Sequence, residues 1–451
     1  MIIPVIISGG SGSRLWPISR QNDPKPFLKL SDGLSLLQHT FLRANNISNK
    51  IITVTNQKIF FRMQDEYTQI NQDVVCDFIL EPFGRNTGPA VLLAALHANK
   101  YHSLDDLLLI LPADHLINNV DEFTNLVNKA ATIAKEGYLV TFGVRPEYPE
   151  TGYGYIQSEQ ESPILDGYLV KRFVEKPDLE RANHYINSGD YLWNSGMFLG
   201  SIKTILNEFQ QHATKLFRDS IDCLLASEYD TYKKINHIVH LNADKFDGLD
   251  NISIDYALCE KTTNLAVIPC SISWSDIGSW LSIADTLAKD ENHNVIIGDG
   301  EIVSHNTTNS LLYSADNRIL AAVGLDGLIV VDTPDAVLVT TRQCDSNDLK
   351  NLVTSLHLRG HHTSYYHKTI HHVWGFSDMV YYTKEASSTL LILKVSLKSN
   401  ASYNLIEHLG HYLDFKLPDF VDIKNLDVSK DLISDSKLHY KLKFFVLNSI
   451  L

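Results

Sequence analysis

A glycine-rich loop with two nearby basic residues is the feature of this chain best suited to chemistry. The apolar run before it is rich in β-branched side chains, which predicts a buried strand, and Gly9, Gly10 and Gly12 follow that run. Glycines let the backbone approach a ligand closely and turn several N–H groups toward one anion. Arg14 and Lys25 add two positive charges within reach of the loop. The combination predicts a site that binds phosphate groups.

The loop differs from two familiar phosphate-binding patterns. It has no closing Gly-Lys-Ser or Gly-Lys-Thr, so it is not a Walker loop, and Leu15 stands where a dinucleotide fingerprint has its third glycine. A tight connection from strand to helix would also account for the glycines taken alone. The segments that accompany the loop decide between these interpretations.

Several short segments lie in a fixed order along the chain. They are 8–17 (SGGSGSRLWP), 24–28 (PKPFL), 81–90 (EPFGRNTGPA), 111–115 (LPADH), 150–156 (ETGYGYI), 173–177 (FVEKP), 193–198 (WNSGMF) and 274–280 (WSDIGSW). Together they resemble the signature motifs of sugar-1-phosphate nucleotidyltransferases, and Trp16-Pro17 resembles the mannose-1-phosphate guanylyltransferase branch. The resemblance runs from the start of the chain to about Val339. Pro26, where Gln is more usual, and Gly88, where Ala is, depart from the pattern of that branch.

The resemblance implies a reaction and a metal ion. In nucleotidyl transfer an oxygen of a sugar 1-phosphate attacks the α-phosphorus of a nucleoside triphosphate and pyrophosphate leaves, so the protein must neutralise charge and align the attack. Mg²⁺ held by carboxylates is the expected cofactor, with Asp114 and Asp276 as its ligands. Arg14 is expected to hold the β- and γ-phosphates, and Lys25 to lie against the α-phosphate. These four residues form the predicted catalytic set.

The resemblance also implies two groups of binding residues. Lys176 is expected to bind the phosphoryl group of the sugar 1-phosphate, Glu175 to accept hydrogen bonds from sugar hydroxyls, and Asn194 and Gly152 to contact the sugar. The residues expected to bind the nucleotide are Gly9, Gly10, Gly12, Ser13, Arg85, Asn86 and Thr87. Of these, the last three should approach the base or the ribose.

The activity implied by the resemblance is transfer from GTP to mannose 1-phosphate, with GDP-mannose and pyrophosphate as products. One alternative is a nucleotidyltransferase that uses another sugar 1-phosphate or another nucleotide. A second is a non-catalytic regulatory subunit that binds sugar nucleotides. Asp114 and Asp276 argue against the second alternative, because a sensor does not need both metal ligands.

The order of elements predicts the fold class. Short apolar runs predict strands at 51–55, 75–80, 107–111 and 138–144, and helical patterns lie between them. This alternation predicts an α/β fold whose first domain is Rossmann-like, with a mixed, mostly parallel sheet and ligands at the carboxyl ends of the strands. The short β-rich runs that follow predict a small stacked domain, and the resemblance implies a β-helix. The expected division is a nucleotidyltransferase domain at 1–290, a β-helix-like domain at 291–345, a linker helix at 346–360 and a β-rich cupin-like remnant at 361–451.

The region after residue 360 corresponds in position to the phosphomannose isomerase domain of longer family members. His408 and His411 lie beside Glu407, but the His-x-His and Arg-x-Glu-His of the isomerase metal motif are absent. The other clustered histidines, between 357 and 372, are interpreted as surface or packing residues. We therefore expect a degenerate cupin with a structural or oligomerising role and no isomerase activity.

Composition limits the partners of this chain. The net charge of −14 gives no general attraction for nucleic acid or anionic lipid, and no apolar run reaches membrane-spanning length. The 5 cysteines contain no Cys-x-x-Cys pair, which favours reduced thiols and a cytoplasmic location. The expected partners are GTP and a sugar 1-phosphate, without nucleic acid or membrane, and a homodimer is the expected assembly.

Overall fold

The computed structural model describes residues 1–9, 12–70, 75–232, 235–298, 300–315, 318–344, 346–365, 367, 369–372, 375–385, 388–397, 434–435 and 438–448. The chain forms two compact units, Met1–Thr333 with Val337–Val353, and Pro334–Ala336 with Thr354–Leu451. The division into four parts expected from the sequence stays a prediction.

A mixed β-sheet forms the centre of the first unit. The strands in and beside it are β1 Ile2–Ser8, β2 Lys50–Asn56, β3 Val75–Glu81, β4 Leu107–Pro112, β5 Leu116–Ile117, β6 Leu139–Val144, β7 Tyr155–Ile164, β8 Gly167–Val174, β9 Tyr191–Ser201, β10 Glu228–Tyr232, β11 Ile235–His240, β12 Leu265–Cys270 and β13 Trp274–Ser275. In the described residues the order of the main sheet is β10-β11-β3-β2-β1-β4-β9-β6-β12-β8-β7. Strands β11, β3, β2, β1 and β4 run parallel, whereas β9 pairs antiparallel with β4, β6 and β7. The predicted α/β class and mixed sheet are confirmed, and the four predicted strands are β2, β3, β4 and β6.

Helices cover the sheet, and several begin at residues whose side chains cap them. They are α1 Leu36–Ile47, α2 Phe60–Ile70, α3 Thr87–Tyr101, α4 Val120–Lys135, α5 Leu179–Ser188, α6 Ile202–His212, α7 Thr214–Leu225, α8 Ala243–Asp247 and α9 Trp280–Thr286, with a π-helical turn at Asp255–Cys259. Ser35 and Gln38 form a capping box at the start of α1. Asn86 caps α3, whose alanine- and leucine-rich first three turns are buried. Each cap fixes the residue at which its helix begins.

Two pairings bring distant segments to the carboxyl edge of the parallel strands. Strands β1 and β4 are parallel neighbours with Ile7 opposite Pro112, so the loops that follow them lie side by side. The short strand β13 pairs with β5, with Ser275 opposite Leu116. This pairing carries the segment after β13 to the loop that contains Asp114.

Short stacked strands complete the first unit, as the predicted β-helix-like domain requires. They are β14 Val295–Ile297, β15 Ile302–His305, β16 Leu311–Ser314, β17 Leu320–Val323, β18 Leu328–Asp332 and β19 Val337–Thr341. Pairs β14–β16, β16–β18 and β15–β17 are parallel, so equivalent strands of successive turns stack on one another. The antiparallel pair β18–β19 ends the stack.

The second unit is β-rich, as expected from its sequence. Helix α10, Ser346–Leu358, leads into it, and its strands are β20 Thr369–His372, β21 Gly375–Glu385, β22 Ser388–Leu397, β23 Ser434–Asp435 and β24 Leu438–Asn448. Among the described residues they form an antiparallel sheet in the order β20-β21-β22-β24-β23. Glu407, His408 and His411 lie outside the described residues.

The described helices include none that is long and apolar enough to cross a membrane. All 5 cysteines lie in the described part of the chain and none is in a disulfide bond. Cys76, Cys223, Cys259 and Cys270 are buried, and burial raises the pKa of each of these thiols. A buried, protonated thiol is inert, so these four cysteines serve packing.

Candidate active site

The glycine loop begins where β1 ends and is packed tightly against the segment that carries Lys25. Gly12 has φ +57, and a Cβ there would lie 2.5 Å from Ser19 Oγ and 2.7 Å from Lys25 Cβ. A side chain at this position would therefore meet both a strained backbone conformation and Lys25 itself. Gly9 is exposed with open space around it. Gly10 lies outside the described residues.

Lys25 joins the two predicted metal ligands. Its side chain is buried, with Nζ 2.7 Å from Asp114 Oδ2, and Nζ also donates a hydrogen bond to the backbone carbonyl of Asp276. An ammonium group donates several hydrogen bonds at once, so one side chain can hold two loops together. The structure thus brings together three of the four residues of the predicted catalytic set.

The carboxylate of Asp276 has one oxygen restrained by hydrogen bonds and one, the open oxygen, that accepts none from the described residues. Oδ1 accepts hydrogen bonds from the hydroxyl of Tyr153, at 2.7 Å, and from the backbone N–H of Gly278, at 2.9 Å. Burial and the charge of Asp276 raise the pKa of Tyr153, so this hydroxyl remains a donor. A Cβ on Gly278 would lie 2.6 Å from Oδ2, so glycine leaves room beside that oxygen.

The environment of Asp114 keeps it ionised. Burial favours the neutral acid, but the charge and hydrogen bond of Lys25, together with the other charge and hydrogen bond at this carboxylate, outweigh burial and lower the pKa of Asp114. Beside it, burial lowers the pKa of His115 to about 4, so the imidazole is neutral at pH 7. Trp274 Nε1, which can only donate, lies 3.2 Å from His115 Nδ1, and this contact places the imidazole proton on Nε2. That nitrogen lies 3.9 Å from Asp114 Oδ1.

A second cluster contains the residues predicted to bind the sugar. Glu175 is mostly buried and lies 2.9 Å from Lys176 Nζ, whose side chain is 60% exposed. Asn194 Nδ2 donates to Asp255 Oδ1 at 3.0 Å, and burial together with the charge of Glu175 raises the pKa of Asp255. One cation, two carboxyl groups and an amide can bind both a phosphoryl group and sugar hydroxyls.

The backbone links this second cluster to Tyr153. The N–H of Lys176 donates to the carbonyl of Tyr153 at 3.2 Å, and the N–H of Asn194 donates to the carbonyl of Gly154 at 2.8 Å. Gly152, predicted to contact the sugar, precedes Tyr153, and its N–H donates to Glu150 Oε1. The segment 150–156 therefore connects the Asp276 carboxylate with the predicted sugar site.

Arg14 and Arg85 are the two arginines predicted to contact the nucleotide. Arg14 is exposed and makes no hydrogen bond or ion pair to another residue that the structure describes. Arg85 donates to the backbone carbonyls of Leu249 and Asp247 and forms an ion pair with the carboxylate of Asp247. Its guanidinium is therefore engaged by α8 and the residues after it. The predicted contacts of Arg14 and Arg85 with the nucleotide stay predictions.

Three other predicted nucleotide residues have structural roles in the described chain. Asn86, at φ +65, caps α3 through its own side chain, and Thr87 Oγ1 accepts a hydrogen bond from the backbone of Ile254. Ser13 opens a short 3₁₀ turn, Ser13–Leu15, directly after the glycine loop. The predicted nucleotide-binding role of each stays a prediction.

Sequence reasoning missed three residues that contact the predicted site. Tyr153 and His115 stand inside the motifs at 150–156 and 111–115, whose resemblance implies roles only for the neighbouring Gly152 and Asp114. Asp255 lies in the π-helical turn Asp255–Cys259, outside every motif that we singled out. The hydrogen bond from Asn194 Nδ2 places Asp255 at the predicted sugar site.

Comparisons with known families define the class of this protein. The nucleotidyl transferase family profile matches residues 3–293, which include the whole cluster around Lys25. A profile for the mannose-phosphate isomerase and GMP-like β-helix domain matches residues 300–356. With the geometry above, these matches define a nucleotidyltransferase followed by a β-helix domain.

A sequence relative and two solved structures identify the family within this class. A mannose-1-phosphate guanylyltransferase from Klebsiella pneumoniae is 38% identical over 413 residues, 90% of this chain and 84% of the relative. A structure from Thermus thermophilus, described as a mannose-1-phosphate geranyltransferase, matches with a TM-score of 0.69 and 30% identity over 79% of this chain and 99% of that one. A mannose-6-phosphate isomerase structure from Helicobacter pylori matches with a TM-score of 0.54 and 31% identity over 60% of this chain and 99% of that one. The chain belongs to the mannose-1-phosphate guanylyltransferase family.

Proposed function

We propose that this protein transfers the guanylyl group of GTP to mannose 1-phosphate and releases pyrophosphate. A phosphate oxygen of mannose 1-phosphate attacks the α-phosphorus of GTP, the bond between the α-phosphorus and the bridging oxygen breaks, and GDP-mannose forms. The observation that carries the proposal is the contact of Lys25 with both Asp114 and Asp276 at the carboxyl edge of β1 and β4. Membership of the family supports GTP and mannose 1-phosphate as the substrates.

The residues at this edge fit a magnesium ion. Asp114 and Asp276 offer hard oxygen ligands, which Mg²⁺ prefers, and the glycine at position 278 leaves space beside Asp276 Oδ2. When bound, the ion would neutralise charge on the phosphates of GTP. Tyr153 and the Gly278 N–H hold Asp276 through its other oxygen, so the ligand is oriented in advance.

Lys25 is proposed to act at the α-phosphate of GTP, whereas the residues of the second cluster are proposed to bind mannose 1-phosphate. Lys25 is fixed between the Asp114 carboxylate and the backbone carbonyl of Asp276, where its charge can meet the charge that develops at the α-phosphorus. Lys176, with its exposed ammonium group, is placed to bind the phosphoryl group of mannose 1-phosphate. Glu175, Asn194 and Asp255 lie around it and offer acceptors and a donor to the sugar hydroxyls.

A substrate grid tests the proposed function. We expect pyrophosphate release to be fastest with GTP and mannose 1-phosphate when purified protein is assayed with Mg²⁺ against several nucleoside triphosphates and sugar 1-phosphates. Reactions with EDTA in place of Mg²⁺ serve as the blank. Faster turnover of dTTP or UTP with glucose 1-phosphate would overturn the assignment of substrates. No release with any pair would support the regulatory alternative.

Lys176→Ala should separate substrate binding from chemistry. Because Lys176 is proposed to hold the sugar phosphate in both the ground state and the transition state, its loss should raise KM for mannose 1-phosphate by about 10–100-fold and lower kcat less. Initial rates across a mannose 1-phosphate titration measure both constants. Lys171→Ala, at an exposed lysine of β8, is the matched control and should leave both unchanged. An unchanged KM in Lys176→Ala would show that Lys176 does not bind the phosphoryl group of mannose 1-phosphate.

Isomerase activity is not part of the proposal. The H. pylori relative carries the name of an isomerase, but this chain lacks the His-x-His and Arg-x-Glu-His run of that metal motif. We expect no conversion of mannose 6-phosphate to fructose 6-phosphate above a metal-only blank in a coupled assay with Zn²⁺, Co²⁺ or Mn²⁺. Activity that His408→Ala abolished would contradict this expectation.

A further inference from the structure

Three side chains with metal-binding atoms meet at the edge of the sheet opposite the proposed active site. Asp77 comes from the start of β3, His97 from α3 and His237 from β11. The parallel strands β1 to β4 end at the edge where Asp114 lies, whereas Asp77 is the third residue of β3 and so lies near the other edge. This cluster is therefore separate from the Asp114 and Asp276 site.

The three side chains are already held close together. His97 Nε2 lies 2.9 Å from Asp77 Oδ2, and His237 Nδ1 lies 3.2 Å from Asp77 Oδ1. One ligand atom from each residue lies within 4.8 Å of the others. Ligands bound at about 2.0–2.2 Å in a tetrahedral zinc site lie ~3.3 Å apart. The two imidazoles contact different oxygens of Asp77, so both contacts are near this value for a carboxylate that binds the ion through both oxygens.

The donor atoms of the cluster suit a metal ion. Asp77 and His97 are buried, and an imidazole nitrogen of His97 and one of His237 each contact the carboxylate of Asp77. His97 Nδ1 is buried and has no hydrogen-bond partner among the residues described. Because a carboxylate oxygen only accepts hydrogen bonds, His97 Nε2 carries the proton in its contact with Asp77, and metal binding would move that proton to Nδ1 and leave Nε2 as the ligand.

A cavity gives access to the cluster from outside. It has a volume of about 210 Å³, and its lining includes Asp77, His237, Tyr101, His102 and Lys50. The ring of Tyr101 stacks on His237 at 4.1 Å between centroids, which holds the imidazole in place. The cavity can admit an ion and leaves room for a water molecule as a further ligand.

We propose that Asp77, His97 and His237 bind one divalent transition-metal ion of the zinc type. Two imidazole nitrogens and one carboxylate are ligands that favour Zn²⁺, Co²⁺ or Ni²⁺, whereas Mg²⁺ prefers oxygen ligands alone. The ion joins β11 to β3 and α3, because each of these elements contributes one ligand. Its role is to stabilise this side of the sheet, and it does not depend on the reaction proposed above.

Cobalt spectroscopy on the full-length protein tests the site. After removal of bound metal with EDTA, titration with Co²⁺ should produce the intense visible d–d absorption of low-coordinate Co²⁺, saturating at one ion per chain, and Zn²⁺ should displace it. His237→Gln, at a partly exposed ligand, should lose this absorption. His102→Gln, which changes a histidine of the same cavity outside the cluster, should keep it. Asp276→Asn should also keep it.

Thermal unfolding gives a second, independent measurement. At about 100 times its dissociation constant, Zn²⁺ should raise the Tm of the unit that contains the cluster by roughly 5 °C, and this rise should be absent in His237→Gln and Asp77→Asn. Absence of the d–d absorption in the unaltered protein would overturn the proposal. So would an absorption that His237→Gln leaves unchanged, because the ion would then be bound by other histidines. If His237→Gln does not fold, Asp77→Asn takes its place in the Co²⁺ titration and should lose the absorption as well.

Discussion

Asp276→Asn should lower kcat for pyrophosphate release by about 10²–10³-fold while leaving the fold intact. The amide oxygen of asparagine can still accept the hydrogen bonds that Tyr153 and the Gly278 N–H now donate to Oδ1. The change therefore removes the negative charge and the open oxygen, the two properties that a metal ligand needs, and little else. Steady-state rates across a Mg²⁺ titration measure the effect.

Two variants control this experiment. Asp285→Asn makes the same chemical change at an exposed aspartate that pairs with Arg342, and it should leave kcat unchanged. Tyr153→Phe removes one hydrogen bond to Asp276 Oδ1 and keeps the charge, so kcat should fall by about 3–15-fold. Near-normal turnover by Asp276→Asn at saturating Mg²⁺ would show that Asp276 is not a ligand of the metal ion.

The neighbouring positions of the glycine loop and Asp114 could be predicted from sequence because they follow from strand order. An apolar strand precedes each of them, and parallel strands of an α/β sheet end at one edge. The observed pairing of β1 with β4 meets that expectation. The sheet could not be predicted as fully, since β9 enters between β4 and β6 in the antiparallel direction. Local patterns do not encode the direction of such a distant strand.

The partners of individual site residues depend on contacts between distant segments. Tyr153 and Asp276 are 123 residues apart, and their hydrogen bond exists because the segment before β7 lies against the segment after β13. The partners of Arg85 are equally distant in sequence, since its guanidinium donates to the carbonyls of Asp247 and Leu249, and its predicted nucleotide contact stays a prediction. Motif spacing identifies residue types suited to a reaction, whereas tertiary packing determines which residues lie beside them.

Lys25→Met should lower kcat by about 10²–10³-fold and also change its pH dependence. Methionine keeps much of the buried volume but cannot neutralise charge at the α-phosphorus or hold Asp114 and Asp276 together. The pH effect follows from Asp114, whose pKa is now lowered by the charge of Lys25 against the opposing effect of burial. Without that charge, burial raises the pKa of Asp114, so the carboxylate takes up a proton at a higher pH.

The acid limb of the profile of kcat/KM against pH should therefore move to higher pH in Lys25→Met, because Asp114 must be ionised to bind a cation. A residue with a merely structural role would lower activity without moving this limb. Lys29→Met, at an exposed lysine nearby in the sequence, is the matched control and should keep both the rate and the profile. If Lys25→Met lost activity but its acid limb stayed where it is in the unaltered protein, the electrostatic coupling between Lys25 and Asp114 would be refuted, and Lys25 would act on the phosphates alone.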